Sequence, residues 1–166
     1  MLRAALFPAL LLFSACGGGG GGGPTVTAAV RLAAVDIDLA ASTTSAELAV
    51  SLVHQSTTAP AMLQVAIELP PALTVALGDP LSAAQPLITL KGELRNGRYL
   101  VVLGDDRNRD ALPLANGPLF RLRLATTTPR QVGTFQITLR DLLAAQSGGA
   151  PADFDVNPAT ATVTIR

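Results

Sequence analysis

Leu63-Gln64-Val65-Ala66-Ile67-Glu68-Leu69 sets its largest apolar side chains at every second position and then runs into Pro70-Pro71. Period two puts those side chains on one face of an extended chain, so the stretch predicts a half-buried β-strand closed by a turn. The pattern recurs outward from it. Leu48, Val50 and Leu52 alternate with Glu47, Ala49 and Ser51, and Phe120, Leu122 and Leu124 alternate with Arg121 and Arg123. Phe135, Ile137 and Leu139 alternate with Gln136, Thr138 and Arg140, and Ala161, Val163 and Ile165 alternate with Thr160, Thr162 and Thr164. Tyr99 to Leu103 is instead a continuous apolar run, the pattern of a central strand covered on both faces.

Turn residues separate these segments: Gly78-Asp79-Pro80, Asn96-Gly97, Asn116-Gly117-Pro118, Gly148-Gly149 and Asn157-Pro158 supply backbone angles that strands do not adopt. The sequence therefore predicts about nine strands, near residues 28–39, 46–54, 62–69, 73–77, 86–92, 98–104, 118–125, 133–140 and 160–165. Many short strands with regular turns specify an all-β fold, a two-sheet antiparallel β-sandwich. Arg140 to Gln146 fits either a helical turn or two, or a strand running on into a loop.

Composition narrows the function classes. Twelve basic residues balance twelve acidic ones, so nothing recruits nucleic acid by bulk charge. Eleven of the twelve basic residues are Arg, with Lys91 the only Lys. Aromatics are scarce: there is no Trp, Tyr99 is the one Tyr, and two of the five Phe lie before residue 14. The core must be built from Val, Leu, Ile and Ala.

The N-terminal region reads as an address. Arg3 precedes an apolar run from Ala4 to Phe13, and Ser14-Ala15 supply the small residues of a cleavage point, the pattern of a secretory signal. Phe13-Ser14-Ala15-Cys16 resembles a bacterial lipobox, which implies cleavage before Cys16 and acylation of that cysteine. The alternative is an ordinary signal peptide with Cys16 incidental. About a dozen apolar residues are too few to span hydrocarbon, which takes roughly 20. The expected organisation is a signal peptide over 1–15, a lipid-bearing Cys16 with a glycine-rich tether over 16–25, and one domain over 26–166. Gly17 to Gly23 with Pro24 give a flexible spacer of roughly 15 Å. The protein is expected on a bacterial cell envelope, at the outer membrane or the cell surface, held through lipid on Cys16.

Glu47-Leu48-Ala49-Val50-Ser51-Leu52, followed by Leu63 to Leu73, resembles the opening strands of a cohesin-type domain. Leu69-Pro70-Pro71-Ala72-Leu73 keeps the proline and following leucine of that family's strand-ending turn, without its Tyr and Asp. Asn96 to Leu103 and Gly117 to Leu124 are similar to the family's central strands, and Gly133 to Leu139 and Ala161 to Ile165 complete the pattern. The resemblance implies a nine-stranded jelly-roll sandwich with a non-catalytic role in binding or scaffolding. The implied partner is a protein, dockerin-like or another envelope protein, with polysaccharide as the alternative.

Individual residues weigh the same way. Asp106-Arg107-Asn108-Arg109-Asp110 starts like a calcium loop, but Ala111 stands where a sharp turn needs Gly, and Gly117 where a bidentate Glu should close the site. A loop joining two strands is the better account. His54, the only His, has no G-x-S-x-G elbow to serve, and no Cys or His pair has metal-ligand spacing. Asp36 and Asp38 share one side of an extended segment, a spacing that carboxylate pairs use in sugar chemistry, yet exposed aromatic platforms for sugar are missing. Neither a catalytic residue nor a cofactor is expected. Arg121 and Arg123 lie on one strand face, and Arg140 joins them if its strand is adjacent, making an arginine stripe that would be either a partner surface or a solvated face.

Overall fold

The computed structural model describes residues 28–54, 60–85, 89–104, 113–145 and 154–166. The chain forms β1 (Ala28–Ala34), β2 (Ile37–Leu39), β3 (Ser45–His54), β4 (Met62–Glu68), β5 (Leu73–Val75) and β6 (Leu81–Ala83). It continues with β7 (Thr89–Arg95), β8 (Arg98–Gly104), β9 (Gly117–Thr126), β10 (Gly133–Ala145), β11 (Phe154–Asn157) and β12 (Ala159–Ile165). One sheet runs β11-β1-β3-β9-β5, with β6 also paired to β9, and the other runs β2-β12-β10-β4-β8-β7. Two mostly antiparallel sheets face each other, as the alternating segments predict.

The inward rows fill the space between them. Leu48, Val50 and Leu52 of β3 and Phe120, Leu122 and Leu124 of β9 meet Leu63, Val65 and Ile67 of β4, Val101 and Leu103 of β8, and Ile137 and Leu139 of β10 in one buried cluster. Burying a Leu, Val, Ile or Phe side chain contributes about 1.5–3 kcal/mol each. With one Phe and one Tyr in that cluster, aliphatic side chains carry it.

Several boundaries differ from expectation. The segment 28–39 is two strands in different sheets rather than one, because the chain bends at Val35-Asp36. There Val35 N–H donates to the Ala49 carbonyl on one sheet, and Asp36 Oδ1 accepts the Thr162 N–H on the other. β2 then runs parallel to β12, and β1 parallel to β11. Two short strands, β6 and β11, have too few residues to display a period. The strand expected over 86–92 is β7, Thr89–Arg95, which a two-residue turn at Asn96-Gly97 joins to β8. Both turn residues have positive φ, 51° and 76°, the type I′ geometry that follows strand twist and that Asn-Gly suits.

Residues 140–145 extend β10 rather than forming a helical turn. Between Arg140 and Leu143 the register against β4 shifts, so Asp141 and Leu142 together oppose Val65 in a β-bulge, and Asp141 takes φ 48°. The bulge returns Leu142 to the core and sends Leu143 outward. Gly104, at φ 132°, lies against Ala61 and Met62 so closely that a Cβ would overlap their backbone.

Tyr99 to Leu103 is a one-sided strand, contrary to the expectation of cover on both faces. Tyr99, Val101 and Leu103 are buried, while Leu100 and Val102 are half-exposed. Its apolar outer row is the first sign of a functional surface.

Candidate functional site

The outer side of β10-β4-β8-β7 carries that surface. In-register pairing sets Leu100 of β8 beside Ala66 of β4 and Glu93 of β7, and Val102 beside Gln64 and Lys91. Leu143, 62% exposed at the bulge, sits opposite Gln64. Met62, Val102 and Leu143 border one shallow depression of about 180 Å³, and Leu100 and Val102 border another of about 510 Å³ with Lys91 and Glu93. Aliphatic side chains thus form a nearly flat centre, without an enclosed cavity.

A fixed ionic cluster closes one end. Arg98 Nε lies 2.8 Å from Glu68 Oε1, and Arg98 Nη1 donates to Asp141 Oδ2 at 2.7 Å. Arg140 Nε lies 2.9 Å from Glu68 Oε2. Glu68 is therefore held between two guanidinium groups, and the bulge conformation of Asp141 adds a second carboxylate to the cluster. A depression of about 450 Å³, bordered by Arg95, Arg98, Leu100 and Asp141, connects these charges to the apolar centre.

The three arginines singled out in the sequence do not form one stripe. Arg121 and Arg123 lie on β9 in the β3-containing sheet, whereas Arg140 lies on β10 in the opposite sheet. Period-two alternation fixes which side of a strand a residue occupies, but not which sheet receives the strand. Arg121 pairs with Glu47 at 3.5 Å. Arg123 Nη2 donates to the carbonyls of Leu77 at 3.3 Å and Asp79 at 3.2 Å, pinning the turn after β5. Arg140 alone belongs to the apolar-centred face.

His54, half-exposed at the end of β3, is bound through its main chain. Its N–H donates to Asn116 Oδ1 at 2.7 Å, and Asn116 Nδ2 donates to its carbonyl at 3.0 Å. Asp38 pairs with Arg166 Nη2 at 2.6 Å, just past β12, while Asp36 accepts from Thr162 within it, so the two carboxylates are engaged separately. Among the described residues, no three His, Cys, Asp or Glu side chains gather as a metal site, and no helix is long and apolar enough to cross a membrane. Cys16, the glycine tether and residues 106–110 lie outside the described residues.

Tyr99 is buried under this sheet and aims its hydroxyl over Gly92 of β7. Burial raises its phenol pKa above the ordinary 10.0, and the negative charge of Asp79 raises it further.

No family model matches the sequence, and no curated protein matches it. Solved structures do match in shape. The sixth cohesin of Acetivibrio cellulolyticus scaffoldin B, determined in complex with a Cel5 dockerin, aligns with a TM-score of 0.65 at 11% identity, covering 83% of this chain and 99% of that one. The cohesin module of a Clostridium perfringens family 33 glycoside hydrolase aligns at 0.62 and 11%, covering 84% and 98%. A non-cellulosomal cohesin from the archaeon Archaeoglobus fulgidus aligns at 0.58 and 14%, covering 82% and 91%. The domain has a cohesin-like β-sandwich fold, as the resemblance in the strand sequences implied.

Proposed function

We propose that this chain is a non-catalytic binding module that takes a protein partner of the dockerin type on the outer face of β10-β4-β8-β7. A bacterial envelope carries it, in this reading, through lipid on Cys16 and the tether Gly17 to Gly23. The observation that carries the binding role is the aliphatic centre of half-exposed Leu100 and Val102 with exposed Leu143, beside the Glu68–Arg98–Arg140–Asp141 cluster. An apolar centre with a polar border is how protein interfaces are built. Support for the partner class comes from the Acetivibrio cohesin, which was determined bound to a dockerin.

Polysaccharide is the weaker reading. Sugar rings stack on exposed aromatic faces, yet Tyr99 and Phe120 are buried and Phe135 is half-buried. Hydrolysis lacks an assembled reactive group among the described residues: His54 Nδ1, the atom a triad carboxylate would hold, has no hydrogen-bond partner among them.

The test is capture of envelope proteins and polysaccharides on immobilised residues 24–166, with mass-spectrometric identification. The expected result is saturable retention of a protein, lost on Val102→Asp and kept on Arg121→Ala. Retention of glycan alone would overturn the proposal, as would protein retention indifferent to Val102→Asp.

A further inference from the structure

The β7 edge of the second sheet carries a self-complementary pattern. β7 pairs with β8 on one side only, and it ends the strand order of its sheet. In the two-residue hairpin, Arg95 and Arg98 form the closing hydrogen-bonded pair, and bonded pairs then alternate along the strands. Arg95, Glu93, Lys91 and Thr89 thus spend their backbone groups on β8. Leu94, Gly92 and Leu90 direct theirs to the open side. Among the described residues, no turn or loop hydrogen bond reaches these three from elsewhere.

We infer that this edge pairs antiparallel with the same edge of a second copy, about a two-fold axis at Gly92. In that register Gly92 faces the second copy's Gly92, and Leu90 faces the second copy's Leu94. All three pairs fall where both backbones present free N–H and C=O groups, so six hydrogen bonds close. Lys91 then faces the second copy's Glu93, and Glu93 its Lys91, at the narrower positions where opposing side chains lie nearest. A shift of the axis by one residue, to Glu93, would set Glu93 against Glu93 and Lys91 against Arg95. Charge therefore selects one register.

Three features of this edge agree with a covered rather than a solvated strand. Leu94 is 72% exposed in the single copy, and the pairing brings the second copy's half-buried Leu90 beside it. Lys91 has no ion-pair partner among the described residues, and Glu93 holds Arg95 only at 3.8 Å. Gly92 has no side chain to obstruct the centre, and Tyr99 roofs it from the inner side. Edge strands that remain single are short, bulged, blocked by Pro or guarded by charge; β7 is seven residues long with neither bulge nor Pro, and its Lys91 and Glu93 meet opposite charges in this register rather than repelling the second copy. The paired sheet is continuous across both copies. It leaves the outer apolar centre of each copy open and sets the two faces side by side.

The test is sedimentation of the full chain carrying Cys16→Ser, across concentrations rising into the high micromolar range, with thermal melts of every variant. The expected result is a monomer–dimer equilibrium. Glu93→Lys, which sets Lys against Lys twice, weakens the dimer by about tenfold without lowering the melting temperature. Lys91→Glu does the same, and the two substitutions together restore it. A second measurement fixes the register. With Lys91→Cys and Glu93→Cys both present, oxidation gives a covalent dimer through Cys at 91 and 93 of opposite copies. A monomer at all concentrations would overturn the inference, as would a dimer that ignores both single substitutions or links in another register.

Discussion

The two outer faces of the sandwich start from the same alternation and end with different capacities. On the β3–β9 face, charged side chains are spent within the molecule: Arg121 reaches Glu47 and Arg123 clamps the turn at Leu77 and Asp79. On the β4–β8 face the charges gather at one end around Glu68, and Leu100, Val102 and Leu143 stay uncovered beside them. Arginine on a strand is therefore not itself a binding signal. Guanidinium groups are engaged within the molecule on both faces, so the aliphatic neighbours of the β4–β8 face make the difference and supply the driving force.

Substitutions can separate the faces, and the largest effect should strike both at once. Phe120→Ala empties the core behind both sheets and should cost about 3–5 kcal/mol of stability, read by denaturant unfolding. Next come the outer aliphatic residues. Leu100→Asp or Val102→Asp should weaken partner binding by about 2 kcal/mol, roughly 30-fold, while the melting temperature stays near wild type. Equal losses from Arg121→Ala would erase the distinction.

Smaller effects sharpen it. Arg123→Ala should cost about 1 kcal/mol of stability through the released turn carbonyls, with binding unchanged. The inner row of β8 has its own reporter, because Tyr99 is the only tyrosine and there is no tryptophan. Its phenolate absorbance should rise with a midpoint above 10.0 in the folded protein and return to that value in denaturant. Since the folded pKa is the raised one, this group's contribution to stability is present below pH 10 and declines as pH climbs toward the folded value. Tyr99→Phe should remove that decline. A folded-state midpoint at the denatured value would contradict the burial of the ring.

The same contrast explains what the sequence could and could not reveal. Strands such as β3, β9 and β12 were legible because their outward residues are polar or small, so the period stands out. β8 reads from its sequence as covered on both sides because its outward Leu100 and Val102 are apolar although half-exposed. The separation of Arg140 from Arg121 and Arg123 is hidden from the sequence because sheet membership depends on long-range pairing that no local period encodes. The bulge at Asp141 and Leu142, which exposes Leu143, depends on register against β4 and carries no strong turn residue. The bend at Val35-Asp36 is likewise hidden in a run of strand-forming residues, and it is fixed by Thr162 far along the chain.

The proposed lipid anchor separates from both faces. Cys16→Ser should abolish acylation and shift the protein from membrane to soluble fractions, while partner binding by the domain persists. Unchanged partitioning would contradict a lipid anchor.

The most direct measurement is amide hydrogen exchange of the domain with and without its captured protein partner. The account predicts new protection along β4, β8 and the Arg140–Ala145 part of β10, with β3 and β9 unchanged. Protection concentrated on β3 and β9 around Glu47, Arg121 and Arg123 would contradict it.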